Sequence, residues 1–131
     1  MRVAMIDHIS LGVSSLARAG LFYDAILEPL GFVRLFSTDR GVGYGTAGAK
    51  DEQFAILAAG SDAQAPGLGS HVAFTAPNRA AVDSFHAVAI RIGAVDDGLP
   101  GLRPAYGPGY YAAFVRDPDG YRIEAVVHEP T

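Results

Sequence analysis

The feature that most constrains this chain is an internal repeat. HISLGVSSLARAGLF, starting at His8, matches HVAFTAPNRAAVDSF, starting at His71, at a constant offset of 63, which sets Phe22 on Phe85. A match of this length marks one supersecondary unit used twice, so equivalent residues in the two copies occupy equivalent places in the fold. Each copy opens with a strand-like alternation of period two. Ile9, Leu11 and Val13 share one face of the first strand, and Ile6, His8, Ser10 and Gly12 share the other. His71, Ala73 and Thr75 repeat the second of these faces.

Each strand leads into a helix. Ser14 or Ser15 can cap the first, in which Leu16, Ala19, Tyr23, Ile26 and Leu30 fall near helical spacing before Pro29 and Gly31 close it. Asn78 can cap the second, with Ala81, Phe85, Val88 and Ile92 on one face and Gly93 as its stop. Three strands are predicted after the first helix, at Phe32 to Thr38, around Gly41 to Thr46, and at Gln53 to Ala59. After the second helix come a weak strand near Leu99 to Arg103, then Tyr110 to Arg116 and Tyr121 to His128. DPDG at Asp117 to Gly120 is a hairpin turn, with proline presetting its first central residue and glycine supplying the left-handed position. The expected fold class is α+β, a βαβββ order used twice within a single domain over 1–131. Module 1 covers about 1–60 and module 2 about 69–129, with the polar Gly60 to Gly69 stretch between them.

Composition narrows the chemistry. With 131 residues, half of them hydrophobic, one compact unit can form a core without covalent staples. There is no cysteine, so a disulfide framework, a thiolate metal site and a cysteine nucleophile are excluded, and any metal must be held by nitrogen and oxygen. The net charge is -4 and Lys50 is the single lysine, which argues against nucleic acid and anionic membranes as partners. Apolar runs such as Phe54 to Ala59 are too short to span a bilayer, and a cytoplasmic location is the expectation.

Strand parity then selects candidate residues. Ile123, Ala125 and Val127 form the apolar face of the last strand, leaving Arg122, Glu124 and Val126 on the side to which the histidines project. A carboxylate among such neighbours needs a cation. An ion pair with Arg103 or Arg122 is the simpler solution. Two imidazoles and one carboxylate converging from three strands, His8, His71 and Glu124, are also the ligand set of a facial triad with open positions, and the repeat favours this metal reading. Such a set suits Fe(II), Mn(II), Ni(II) and Zn(II) alike. Tyr106, Tyr110 and Tyr111 can wall the site and supply a phenol, or serve as ordinary strand aromatics. Ser10 and Arg122 are candidate substrate contacts, although pairing with Asp119 is the preferred role for Arg122. His86 is expected to be a partly exposed packing residue on its helix, and His128 a surface residue past the last strand.

Taken in order, HISLGV with FYDAILEPLGF, HVAF with SFHAVAIRIGA, and YYAAFVRDPDGYRIEAVV resemble the vicinal oxygen chelate superfamily, which includes glyoxalase I, fosfomycin-resistance proteins, bleomycin-resistance proteins and extradiol dioxygenases. The resemblance implies an incomplete mixed β-barrel whose cup holds a divalent metal, at places matching His8, His71 and Glu124. It also allows a fourth ligand on the last strand of the first module. An offset of 68 between QFAILAA and YRIEAVV puts Ile56 there, so that ligand is absent. The implied function is that of a metal-dependent dioxygenase, lyase, isomerase or thiol transferase acting on a small substrate with vicinal oxygens. The single lysine speaks against phosphonate chemistry, and the alternative is a non-catalytic binding protein of the bleomycin-resistance kind. A homodimer is also implied, in which His8 of one chain meets His71 and Glu124 of the other.

Overall fold

The structure, a computed structural model, describes residues 4–129. Residues 1–3 and 130–131 of the expected domain lie outside the described residues. The first βαβββ unit is β1 (Ile9–Val13), α1 (Leu16–Leu27), β2 (Phe32–Ser37), β3 (Gly41–Thr46) and β4 (Phe54–Ala58). The second is β5 (Val72–Thr75), α2 (Arg79–Arg91), β6 (Val95–Leu102), β7 (Tyr110–Arg116) and β8 (Arg122–His128). Both helices start at the expected caps. Ser15 Oγ accepts from the Arg18 N–H at 3.2 Å and Asn78 Oδ1 from the Ala81 N–H at 2.8 Å, each bond contributing about 1 kcal/mol. A 3₁₀ turn at Glu28–Leu30 ends the first helix, with Gly31 following at φ 92°, where a side chain would be strained.

Each unit folds into its own four-stranded mixed sheet, ordered β1-β4-β3-β2 and β5-β8-β7-β6. The parallel pairs are β1 with β4 and β5 with β8. The two sheets do not close into one barrel; their helix-covered faces share a single core instead. Val13, Phe22, Tyr23, Ile26, Phe54 and Ile56 of the first unit pack in one cluster with Val82, Phe85, Val115, Ile123 and Ala125 of the second. Phe54 and Phe74 meet edge to face across the units, their ring centroids 4.9 Å apart. The opposite face of each sheet, which carries its histidine, therefore looks away from the core.

Polar contacts clasp the units at the DPDG turn. Buried Asp117 accepts from the Asp119 and Tyr121 N–H groups through Oδ1, and from the Tyr23 hydroxyl of α1 at 2.6 Å through Oδ2. Tyr121 donates to the Gly12 carbonyl at 2.7 Å, and Asp119 accepts from the Ser14 N–H at 3.1 Å. Burial raises the Asp117 carboxyl above its ordinary range, while these hydrogen bonds pull it back. The turn thus holds module 1 against module 2 as well as joining two strands.

Two expectations need correction. The strand expected at Leu99 to Arg103 begins at Val95, four residues earlier, and ends at Leu102. Its VDDGLPGL sequence hid it, because Asp, Gly and Pro are poor strand formers; β6 tolerates them as an edge strand with two register irregularities. His86 is buried, not partly exposed, and its Nε2 lies 2.8 Å from Asp96 Oδ1. His128 is exposed, as expected, at the last position of β8, where its ring stands edge-on to Tyr110 with centroids 4.9 Å apart. Among the described residues no helix is long and apolar enough to cross a membrane.

Candidate functional site

In the β7–β8 ladder Phe114 faces Glu124 and Tyr110 faces His128, while Ala73 of β5 lies beside Glu124 on its other flank. This register brings His71, Tyr110, Phe114 and Glu124 to one side of the second sheet. His71 Nε2 lies 2.9 Å from Glu124 Oε1, and the Tyr110 hydroxyl donates to Glu124 Oε2 at 2.5 Å. Glu124 is only 1% exposed, so these two partners replace the water that its carboxyl oxygens have lost. The arginine solution is overturned: Arg122 pairs with Asp97 at 3.1 Å, and Arg103 bonds the Leu99 carbonyl. The preferred Asp119 partner for Arg122 is also replaced, since Asp119 serves Ser14 and Arg18 at the clasp.

Tyr110 is poised to keep its proton. Burial first, and then the hydrogen bond and negative charge of Glu124, push its phenol up to about 12. It therefore orients the carboxylate as a donor and is unsuited to act as a base near neutral pH. Tyr106 is two-thirds exposed and stacks edge-on against Tyr110 at 5.3 Å between centroids. Tyr111 lies on the other face of β7, donating to Asp83 of α2 at 2.6 Å, and does not join the group.

His8 is placed apart. It is exposed on the approach to β1, and its Nδ1 lies 2.7 Å from Asp7 Oδ2, a contact that raises its pKa. Ser10 is exposed on the same face of module 1. Among the described residues no three His, Cys, Asp or Glu side chains gather closely enough to hold an ion. A mostly apolar cavity of ≈ 180 Å³ lies at the junction of the modules, lined by Ile9, Phe32, Phe54 and Phe74 with Asp7, and the His71–Glu124 pair is outside it.

The ladders also correct the position of the missing fourth ligand. Ser10 pairs with Ala55 in β1–β4 as Ala73 pairs with Glu124 in β5–β8, and Ser10 and Ala73 are equivalent in the repeat. The offset for the last strands is therefore 124 − 55 = 69, and Ala55 takes the place of Glu124. Ile56 turns to the helix side and is fully buried in the core. The carboxylate is still missing from module 1, now for a different residue.

Two βαβββ units, one pairing an exposed imidazole with a buried carboxylate on its outward face, define a two-module scaffold of the glyoxalase type. The chain belongs to the Glyoxalase/Bleomycin resistance protein/Dioxygenase superfamily, whose family model matches residues 5–125. It is similar to the crystal structure of a glyoxalase/bleomycin resistance protein from Albidiferax ferrireducens T118, with 32% identity over 97% of this chain and 100% of that one, at a TM-score of 0.82. Two more distant structures share the fold at 18% identity. A family enzyme from Burkholderia phytofirmans PsJN has a TM-score of 0.71 over 96% of this chain and 100% of its own. The fosfomycin resistance protein FosX from Listeria monocytogenes has a TM-score of 0.67 over 95% and 93%. No curated protein matches the sequence significantly.

Proposed function

We propose that this protein is a metal-dependent enzyme acting on a small substrate that chelates the ion through two adjacent oxygens. His71, Glu124 and His8 are the ligands in this reading, with His8 supplied by the partner subunit of a homodimer. The observation that carries it is the His71–Glu124 pair. Two donors bound about 2.1 Å from one ion at right angles would stand about 3.0 Å apart, close to the 2.9 Å between these atoms. The donor set is nitrogen and oxygen, which suits Fe(II), Mn(II), Ni(II) and Zn(II) alike. Asp7 supports His8 in the same role. Its carboxylate accepts from Nδ1–H and leaves Nε2 free to ligate, the usual second partner of a metal-bound histidine. Because the histidine-bearing faces of both sheets look away from the common core, a second copy is the natural source of the third ligand.

A divalent ion bound here would act as a Lewis acid, stabilising negative charge on a chelated substrate oxygen. The chain's own contributions are more local. Tyr110 holds one oxygen of Glu124 and fixes the carboxylate's orientation toward His71. Tyr106 is the more accessible phenol for contact with substrate, and in the shared site Ser10 would arrive with His8 from module 1 of the partner subunit.

The test begins with the metal content of protein purified without chelators, followed by titration of the four ions. His8→Ala and Glu124→Ala homodimers are then mixed under exchange conditions. Each variant alone is expected to lose metal, and the mixed dimer to regain one intact site. Wild type that retains no divalent metal overturns the enzyme reading and leaves a bleomycin-type binding protein. Failure of the mixture to recover binding overturns the shared site.

A further inference from the structure

Arg103, just after β6, is held in a way that the site described so far does not use. Its Nη2 donates to the Leu99 carbonyl at 2.7 Å and its Nη1 to the Leu102 carbonyl at 3.5 Å, so the guanidinium folds back along its own strand. Gly98 and Gly101 make the room. A Cβ on Gly98 would stand 3.3 Å from Nη2 and 2.9 Å from Phe114 Cδ1, and one on Gly101 would stand 3.2 Å from Nη1. All three approaches are closer than a Cβ ordinarily makes, so the neighbouring side chain would have to shift. The two glycines that obscured β6 in the sequence therefore form the cradle for this side chain.

No carboxylate neutralises Arg103 among the described residues. Asp97, the nearby acid, is shared by Arg116 at 3.3 Å and Arg122 at 3.1 Å. Three guanidiniums thus share this face with two carboxylates, Asp97 and Glu124, and Glu124 is already engaged by His71 and Tyr110, so Arg103 is left without a side-chain partner. Of the five N–H donors of Arg103, two are used by backbone oxygens, and the rest are free for the oxygens of a carboxylate or phosphoryl group. The guanidinium carbon lies 5.5 Å from the centroid of the Phe114 ring, and the His71 ring centroid lies 6.1 Å from the same ring. Phe114 is also opposite Glu124 in the ladder. A fixed cation without a side-chain counter-ion thus borders the same aromatic ring as the imidazole–carboxylate pair.

We propose that Arg103 is an oxyanion-binding residue, and that the substrate of this face carries a carboxylate or phosphoryl group in addition to the oxygens it presents at His71 and Glu124. The placement of the substrate rests on the proposed metal function; the oxyanion site does not. Backbone anchoring removes much of the rotamer freedom that an exposed arginine loses on binding, which favours recognition of a small anion.

Inorganic phosphate and acetate are titrated separately into metal-stripped protein at constant ionic strength, following the arginine Nε–H signals and the backbone amide signals around Arg103 by NMR. A saturable shift of the Arg103 signal is expected for at least one anion, and the tighter of the two identifies the group. Affinity should fall at least about fivefold in Arg103→Gln. It should also fall in Gly101→Ala, which keeps the charge but displaces the guanidinium. Melting curves establish that both variants are folded. Absence of saturation for both anions, or unchanged affinity in both variants, overturns the proposal. Divalent metal retention is measured on the same wild-type preparation before stripping. Retention without oxyanion binding sinks the Arg103 assignment alone, and oxyanion binding without retention sinks the metal reading alone.

Discussion

The two modules share a scaffold and differ in what they place on its outward face. Module 2 presents His71, Glu124, Tyr110 and the guanidiniums of Arg103, Arg116 and Arg122. Module 1 presents His8 and Ser10, with Ala55 where module 2 has Glu124. Its β3 adds three glycines overlaid by neighbouring side chains: Gly41 lies under Leu57, Gly43 under Phe36 and Gly45 under Leu35. Leu57 and Phe36 remain more than two-fifths exposed, which makes this an apolar wall. The two modules keep similar core positions and differ in their outward faces, one carrying ionisable groups and the other an apolar wall.

The sharpest way to break this comparison is to exchange equivalent residues. Glu124→Ala should weaken divalent metal binding at least about 100-fold, a loss on the scale of removing a ligand or its essential partner. Ala55→Ser, at the equivalent place in module 1, should change it less than about threefold. Competition with a chromophoric chelator measures both, and equal effects would end the claim of asymmetry.

Next in size is the clasp that holds the modules together. Asp117→Ala leaves the Tyr23 hydroxyl and two backbone N–H groups without their acceptor, and should cost about 2–3 kcal/mol in urea unfolding. A loss below about 0.5 kcal/mol would show that the turn is no more than a hairpin connection. A smaller effect is expected on the apolar wall. A Cβ at Gly43 would lie 2.1 Å from the edge of the Phe36 ring, but that ring is partly exposed and can swing away. Gly43→Ala should therefore cost about 1 kcal/mol and displace Phe36, as a ring-proton chemical shift would register.

The smallest effect is a pH dependence. Burial raises the folded Asp117 pKa above 3.8, so the fold favours the protonated carboxyl. That contribution is fully present below about pH 3.8 and is lost as pH rises through the raised folded value. Relative to Asp117→Asn, wild type should become progressively less stable as pH is raised from 4 toward 7. A stability difference that stays constant over that range would contradict the assignment.

Much of this was legible from residue pattern. The offset of 63 between His8 and His71 located both β-strands and both helices, because buried faces recur with the period of the element that buries them. Parity in the last strand likewise put Glu124 on the side of His71. Other features escaped. The β6 strand was short of strand formers because its glycines make space for Arg103, a requirement visible only when that side chain is in place. The offset of 69, not 68, for the last strands depends on loop lengths, and a one-residue slip exchanges core and outward faces.

What the sequence determined by itself was the duplicated βαβββ order and the kinds of groups available for chemistry, since local periodicity and composition are properties of the chain alone. Which groups meet was decided by tertiary structure. Glu124 chose His71 and Tyr110 over either arginine, and Asp117 and Asp119 were recruited to the module junction. A buried carboxylate is stabilised by whichever donors the packed strands bring within hydrogen-bond reach, and that reach is set by register and core packing across 50 or more residues of chain.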